Sequence, residues 1–303
     1  MKGDEKMKRE NINKKTSIIN IIHSTSYKYN KNITLGQHRF MLRPRETREL
    51  RLISFDLNIS PAARIDWSHD VAGNTVASAL FETPSKTLTI LARTTVELSA
   101  PAWPVFPIAA SAIRYPFFYS ADDWEDLGAL ARPQYADTAQ RLLNWAGRFV
   151  MARPTDTLSL LKDLSNGVAA NIAYQPRETE GTQGPLETLD RGWGSCRDFA
   201  VLFAEAARTL GFGARLVSGY LYDPTGDQLG STAAGSTHAW VEVFVPGAGW
   251  ISFDPTNRAV GSANLIPVAV ARNIWQILPV TGSFHGPDVD RPTMDVTIEV
   301  GAP

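Results

Sequence analysis

GWGSCRDFAVLFAEAARTLG, residues 192–211, is the stretch from which the rest of the chain is read. Phe199, Leu202, Phe203, Ala206 and Leu210 recur at helical spacing, and Gly211 supplies a stop. Ser195 suits the cap of that helix, with Asp198 reaching back from three residues on. Cys196, the only cysteine, then sits at the helix start. Unpaired backbone N–H groups and the positive end of the helix dipole lie beside it. Both favour a thiolate, the form that attacks carbonyl carbon. The same N–H groups are placed to receive the oxyanion that attack creates.

A thiolate nucleophile needs a base, and the base needs a group to orient it. His238 opens the strand STHAWVEVFV (236–245), after a loop rich in Gly and Ser (225–236). Asp254 closes the strand GWISFD (249–254). A hairpin through PGAG (246–249), with Val245 opposite Trp250, brings His238 and Asp254 to one end. Cys196, His238 and Asp254 are the candidate catalytic residues. His23, His38, His69 and His285 lie outside this pattern. One cysteine and no His-x-x-x-His pair give zinc no support, so no metal and no cofactor is expected. Asp198, Glu205 and Glu242 lack the close acid partner that glycoside hydrolysis needs.

Outward from this centre the period changes. Leu158, Leu161, Leu164, Val168 and Ile172 fit one helix, with Thr155 as its cap, and Ala136, Leu142, Leu143 and Ala146 fit another. Before them, residues 18–98 read as strands. TLTILARTTVEL (87–98) alternates Leu88, Ile90 and Ala92, and LRLISFDLNIS (50–60) alternates imperfectly. Pro101, Pro104, Pro107 and Pro116 exclude a regular helix or central strand from 99–120, yet the aromatic residues between them imply that this connector packs on a surface. After the central helix come ARLVSGYLYD, the two strands already named, and MDVTIEV (294–300). The order is strands, helices, strands: an α+β fold with a sandwich-like β domain in front. The expected boundaries are a tail at 1–16, a β domain with connector at 17–120, and a catalytic domain at 121–303.

Composition sets limits. The 303 residues are 44% apolar and 20% charged, with a net charge of −1. That balance speaks against phosphate-driven nucleic-acid binding and against attachment to an anionic membrane. No apolar run is long enough to cross a bilayer, and the basic start lacks a signal-peptide core. A lone cysteine and no export signal fit a reducing cytoplasm.

GWGSCRDFA, LGFGARLVSGYLYDP (210–224) and STHAWVEVFVPGAGWISFDPTN (236–257) together closely resemble the core of bacterial transglutaminase-like proteins. IHSTSYKY, GQHRFMLRPRE, the D-x-x-G-N turn at Asp70, Gly73 and Asn74, and LPVTGSF (278–284) resemble the segments around that core. The resemblance covers nearly everything after residue 17. It implies a papain-like core of helices packed on an antiparallel sheet, with a triad matching Cys196, His238 and Asp254. By position it offers Tyr174 as an oxyanion donor, and Trp193 and Trp240 as walls of an acyl-binding cleft. The implied chemistry is acyl transfer on a peptide or carboxamide through a thioester. Water as acceptor makes a cysteine peptidase or amidase, and an amine makes a transglutaminase. A peptide-binding scaffold that kept the fold is the alternative from a different class. No D-x-D-x-D-G loop calls for calcium.

Overall fold

The structure is a computed structural model and describes residues 16–177, 181–229, 236–286 and 290–303. The expected tail (all but residue 16) and most of the Gly/Ser-rich loop's second half lie outside these residues. Five strands lead: β1 (Ser17–Phe40), β2 (Leu50–Ser60), β3 (Ala63–His69), β4 (Thr75–Phe81) and β5 (Ser85–Leu98). The connector carries β6 (Arg114–Tyr115), followed by α1 (Ala121–Leu127) and α2 (Arg141–Gly147). Next come β7 (Thr155–Asp156), α3 (Thr157–Asn171), β8 (Ala173–Tyr174), α4 (Pro185–Arg191), β9 (Trp193–Gly194) and α5 (Cys196–Thr209). The chain ends in β10 (Gly213–Leu221), β11 (Ser236–Val245), β12 (Gly249–Asp254), β13 (Ala259–Val260), β14 (Leu265–Ala271), β15 (Val280–His285) and β16 (Thr293–Gly301).

The front module is a sandwich built around β1. Its first half pairs with β5 and β16, its second half with β4 and β15, and the register slips between Lys28 and Ile33. The break lets one strand serve two layers, β2-β5-β1-β16 and β3-β4-β1-β15. Leu88, Ile90 and Ala92 of β5 meet Ala77 and Ala79 of β4 between them, as the period-2 pattern of β5 requires. The imperfect alternation in β2 is a bulge: Leu52 pairs with Val96 and Ser54 with Thr95, leaving Ile53 over.

One expected boundary moves. The expected catalytic domain, 121–303, includes 280–301, but β15 and β16 pair with β1 and complete the front sandwich. Strand period reveals that MDVTIEV is extended. It carries no information on which distant strand accepts it.

Behind the sandwich, β13-β12-β11-β10-β14 form an antiparallel sheet. Ala239, Val241, Val243 and Val245 share a core with Phe199, Leu202, Phe203 and Ala206 of α5, all at most 3% exposed. Each such Phe or Leu contributes about 1.5–3 kcal/mol by leaving water. This burial pins α5, and with it Cys196, to the sheet. The β11–β12 register differs by one residue from expectation: Phe244 faces Trp250 and Val245 faces Gly249. Gly247 and Gly249 take positive φ (84° and 74°), so the turn closes one residue earlier. A Cβ on Gly247 would stand 2.5 Å from the Ala109 nitrogen, because the connector packs against this turn.

Two helix starts also differ. Asp156, not Thr155, caps α3 by accepting from the Ser159 N–H at 2.7 Å, because the helix begins at Thr157, one residue later than a Thr155 cap requires. The other begins at Arg141, where Asp137 receives the N–H groups of Arg141, Leu142 and Leu143, and Ala136 lies outside it.

The two modules share one apolar core, which runs from Ile19, Ile21, Val96 and Leu98 into α5 and its sheet. Asn74 of the D-x-x-G-N turn is fully buried there. Its amide donates to the Val270 carbonyl and its oxygen accepts from the Val270 N–H, both at 2.8 Å, in the manner of a strand partner for β14. His23 Nδ1 meets the Tyr220 hydroxyl at 2.9 Å across the same boundary.

Candidate active site

Cys196 is the first residue of α5, where Ser195 and Asp198 form the expected capping box. Asp198 does more than cap. Fully buried, its carboxylate accepts from the Ser195 N–H (2.7 Å) and hydroxyl (2.9 Å), the Gln183 N–H (2.7 Å) and the Arg177 guanidinium (2.6 Å). A buried charge with four donors is well compensated, and it fixes the turn that presents the thiol. Cys196 itself is half-buried.

His238 lies near the start of β11, facing Gly219 of β10. A Cβ at Gly219 would fall 2.7 Å from the Trp240 ring and 2.1 Å from the Ile266 carbonyl, so only glycine fits opposite the histidine. Asp254 ends β12, just past the last paired residues, Val241 and Phe253. That register makes His238 and Asp254 diagonal neighbours on one face of the sheet. His238 Nε2 and Asp254 Oδ2 are 2.8 Å apart, with side chains 0% and 2% exposed. Asp254 Oδ2 also accepts from the Asn257 amide at 2.8 Å, and Oδ1 from the Thr256 N–H at 3.0 Å. Asn257 in turn binds the Leu229 N–H at 2.8 Å and so ties the loop after β10 to the aspartate.

The electrostatics follow from these contacts. Burial alone would push His238 down, but the charge and hydrogen bond of Asp254, then the interaction with Cys196, outweigh it and bring it to about 10. Burial alone would raise the Cys196 thiol. His238 first, then the Ala239 N–H and the Arg197 charge, reverse this and hold it below its ordinary value. Asp254, raised by burial, is brought below its ordinary value by His238 and Asn257. With Nε2 engaged by Asp254, Nδ1 makes no hydrogen bond within the described protein and is the nitrogen left for the thiol.

The three aromatic candidates separate. Tyr174 sits opposite Gly194 in the parallel β8–β9 pair, its ring edge-on to Phe199 at 6.1 Å, over the first turn of α5. Burial first, then the nearby Cys196 and Asp254 charges, push its phenol up to about 12, so it stays a neutral donor. Trp193 is half-buried between the guanidiniums of Arg177 (5.6 Å) and Arg191 (5.4 Å). Trp240 corrects the expectation of a cleft wall. It is 1% exposed, packs with Val217, Leu221, Leu265 and Val270, and stacks under the His238 ring at 6.2 Å. As residue i+2 from His238 on a strand it shares the histidine's face, where side chains of β10 and β14, its neighbours in the same sheet, close around it and Ala72 of the front module packs against them.

The sequence reading missed Asn257 and Arg177. Asn257 had a usable signal, since D-P-T-N places an amide three residues past the aspartate, the spacing of an Asx-type turn. Arg177 had none, because its partner Asp198 is 21 residues away.

Comparisons with known proteins place two stretches of the chain in known families. A model of the transglutaminase-like superfamily matches residues 144–255, and one of the bacterial transglutaminase-like N-terminal region matches residues 19–97. An uncharacterized protein of Mycobacterium tuberculosis is 28% identical over 294 residues, covering 92% of this chain and 91% of its own. A protein-glutamine gamma-glutamyltransferase of Pseudomonas aeruginosa is 31% identical over 131 residues, 42% of this chain and 19% of that one. The crystal structure of a candidate cysteine protease from Cytophaga hutchinsonii has the same fold, with a TM-score of 0.71 at 19% identity, over 94% of this chain and 91% of that chain.

Proposed function

We propose that this chain, which joins a transglutaminase-like superfamily core to a bacterial transglutaminase-like N-terminal region, is a thiol-dependent acyl-transfer enzyme using Cys196, His238 and Asp254. The observation that carries the proposal is the orientation of His238. Asp254 holds Nε2 at 2.8 Å, which leaves Nδ1 for the thiol. With Cys196 held down and His238 held up, both shifts favour the thiolate–imidazolium pair.

In the mechanism, Sγ of Cys196 bonds to the carbonyl carbon of a peptide or carboxamide. The oxyanion meets the backbone N–H at the start of α5, with Tyr174 as a further donor above the same turn. Collapse breaks the C–N bond, and imidazolium Nδ1 gives its proton to the leaving amine. The thioester is then resolved by water, which surrenders a proton to Nδ1 while the thiolate leaves. Asp254 keeps its charge throughout and fixes the ring. The substrate is a peptide or protein, and the working compartment is the reducing cytoplasm that a lone thiolate suits. A second reading replaces water with a primary amine. The likeness over 131 residues to a protein-glutamine gamma-glutamyltransferase favours it.

Alkylation by iodoacetamide at pH 6 tests the proposal. Fast reaction at Cys196 that is lost in His238→Ala supports it. A rate typical of an ordinary thiol, indifferent to His238, sinks it. Turnover of a peptide library with and without added amine then separates hydrolysis from transfer.

A further inference from the structure

The front sandwich has an open corner. β2 and β3 follow one another in the chain but do not pair: β2 bonds only to β5, and β3 only to β4. Each keeps an unpaired edge, and the two splay apart to form a groove of about 400 Å³. Leu52, Ile53 and Phe55 line it from β2, and Trp67 and His69 from β3. Edge strands are commonly guarded by charge or proline. Here Ile53 is 46% exposed and Trp67 is 49% exposed, and Phe55 meets Trp67 edge-on at 6.0 Å. The bulge makes Ile53 the extra residue of β2, which is how a bulge re-aims a side chain. Arg43 and His69 line the same groove, and no acid does among the described residues.

We propose that this groove binds an extended peptide segment that presents apolar side chains to Ile53, Phe55 and Trp67 and a carboxylate to Arg43. Unpaired edges supply main-chain hydrogen bonds to an added strand, apolar pockets select its side chains, and a lone cationic end selects its charge. The volume is that of a small-ligand site and suits a few residues of chain. Its residues are distinct from those around Cys196, so occupancy here is recruitment, separate from the reaction.

The probe is the dye-labelled peptide Leu-Ile-Phe with a free C-terminus, followed by fluorescence anisotropy on the full chain. Binding should weaken at least 10-fold in Trp67→Ala and in Arg43→Gln, and fall as salt rises. Ile53→Asp, at an exposed position, gives the same loss without touching a buried group. The C-terminal amide of the peptide should bind at least 5-fold more weakly. An amidated Leu-Ile-Phe-Glu then identifies the source of the carboxylate: recovery of binding assigns a side chain, and no recovery assigns a chain end. Prior alkylation of Cys196 should leave binding unchanged. No anisotropy change up to millimolar protein, equal affinity in all three variants, or loss of binding on Cys196 alkylation overturns the proposal.

Discussion

His23 and His238 are buried alike, each 2% exposed, yet their proton affinities move in opposite directions. His23 sits where the sandwich meets the catalytic sheet and hydrogen-bonds two hydroxyls, Tyr220 at 2.9 Å and Thr25 at 3.0 Å. Burial lowers it to about 4, so it is a neutral joint. His238 suffers the same burial, but Asp254 is in contact and brings it to about 10. Burial sets the cost of a charge, and a carboxylate in contact decides whether the charge exists. Fold and chemistry thus use one residue type in two ways.

The largest expected effects break the charged side of this contrast. Cys196→Ser should lower turnover by a factor of about 10³ or more, because a serine hydroxyl beside the same histidine is not ionised. Thermal unfolding should show stability within about 1 kcal/mol of wild type, since the change is small. Asp254→Asn makes His238 resemble His23. The imidazole falls, the thiol rises, and alkylation at pH 6 should slow by a factor of about 10² or more. The loss of stability should stay below the ~3–5 kcal/mol that stranding a buried charge costs, because histidine can shed its proton. A variant whose rate–pH profile matched wild type would show that Asp254 does not hold the ion pair.

Most of the site was legible because its chemistry is written locally. Cys196 is marked by a helix period and a cap, and His238 and Asp254 by the ends of two strands around a turn. The sandwich was legible in β5 for the same reason. What failed was non-local or depended on a single backbone conformation. The return of β15 and β16 to β1 depends on pairing across 240 to 281 residues, from Phe40–Val280 to Asn20–Gly301, for which no period codes. The one-residue register error came from Gly247 and Gly249, whose positive φ shortens the turn. Trp240 reads as a cleft wall because strand period says which residues share a face, but not which distant side chains close over it.

A third variant sharpens the contrast by separating the joint from the site. Asn74→Ala strands the Val270 N–H and carbonyl and removes a bond from Arg45 as well. With the bond to Asp70, four side-chain hydrogen bonds are lost, two of them to the buried Val270 backbone, which should cost about 3–5 kcal/mol, read as a lower urea midpoint. The alkylation rate of Cys196 in the remaining folded protein should be unchanged, since none of these bonds reaches His238. A matching drop in thiol reactivity would mean that the joint tunes the site, and the two histidines would not be independent.

The smallest effect tests the neutral side. His23 has a folded value of about 4 against an ordinary 6.5. Below pH 6.5 the unfolded chain takes up a proton that the folded chain refuses, so stability falls as pH drops and levels off below about 4. His238 tilts the curve from the other end. Its raised value gives stability that is present below pH 6.5 and lost as pH climbs through about 10. His23→Gln keeps a polar partner for Tyr220 and cannot titrate. It should flatten the urea-midpoint curve between pH 6.5 and 4 by about 2–3 kcal/mol while leaving the alkaline limb in place. Asp254 does not confuse this window, because its value lies below 3.8 and its contribution is lost only at lower pH. Equal acid slopes in wild type and variant would show that His23 is charged in the folded chain. The contrast would then rest on something other than the carboxylate.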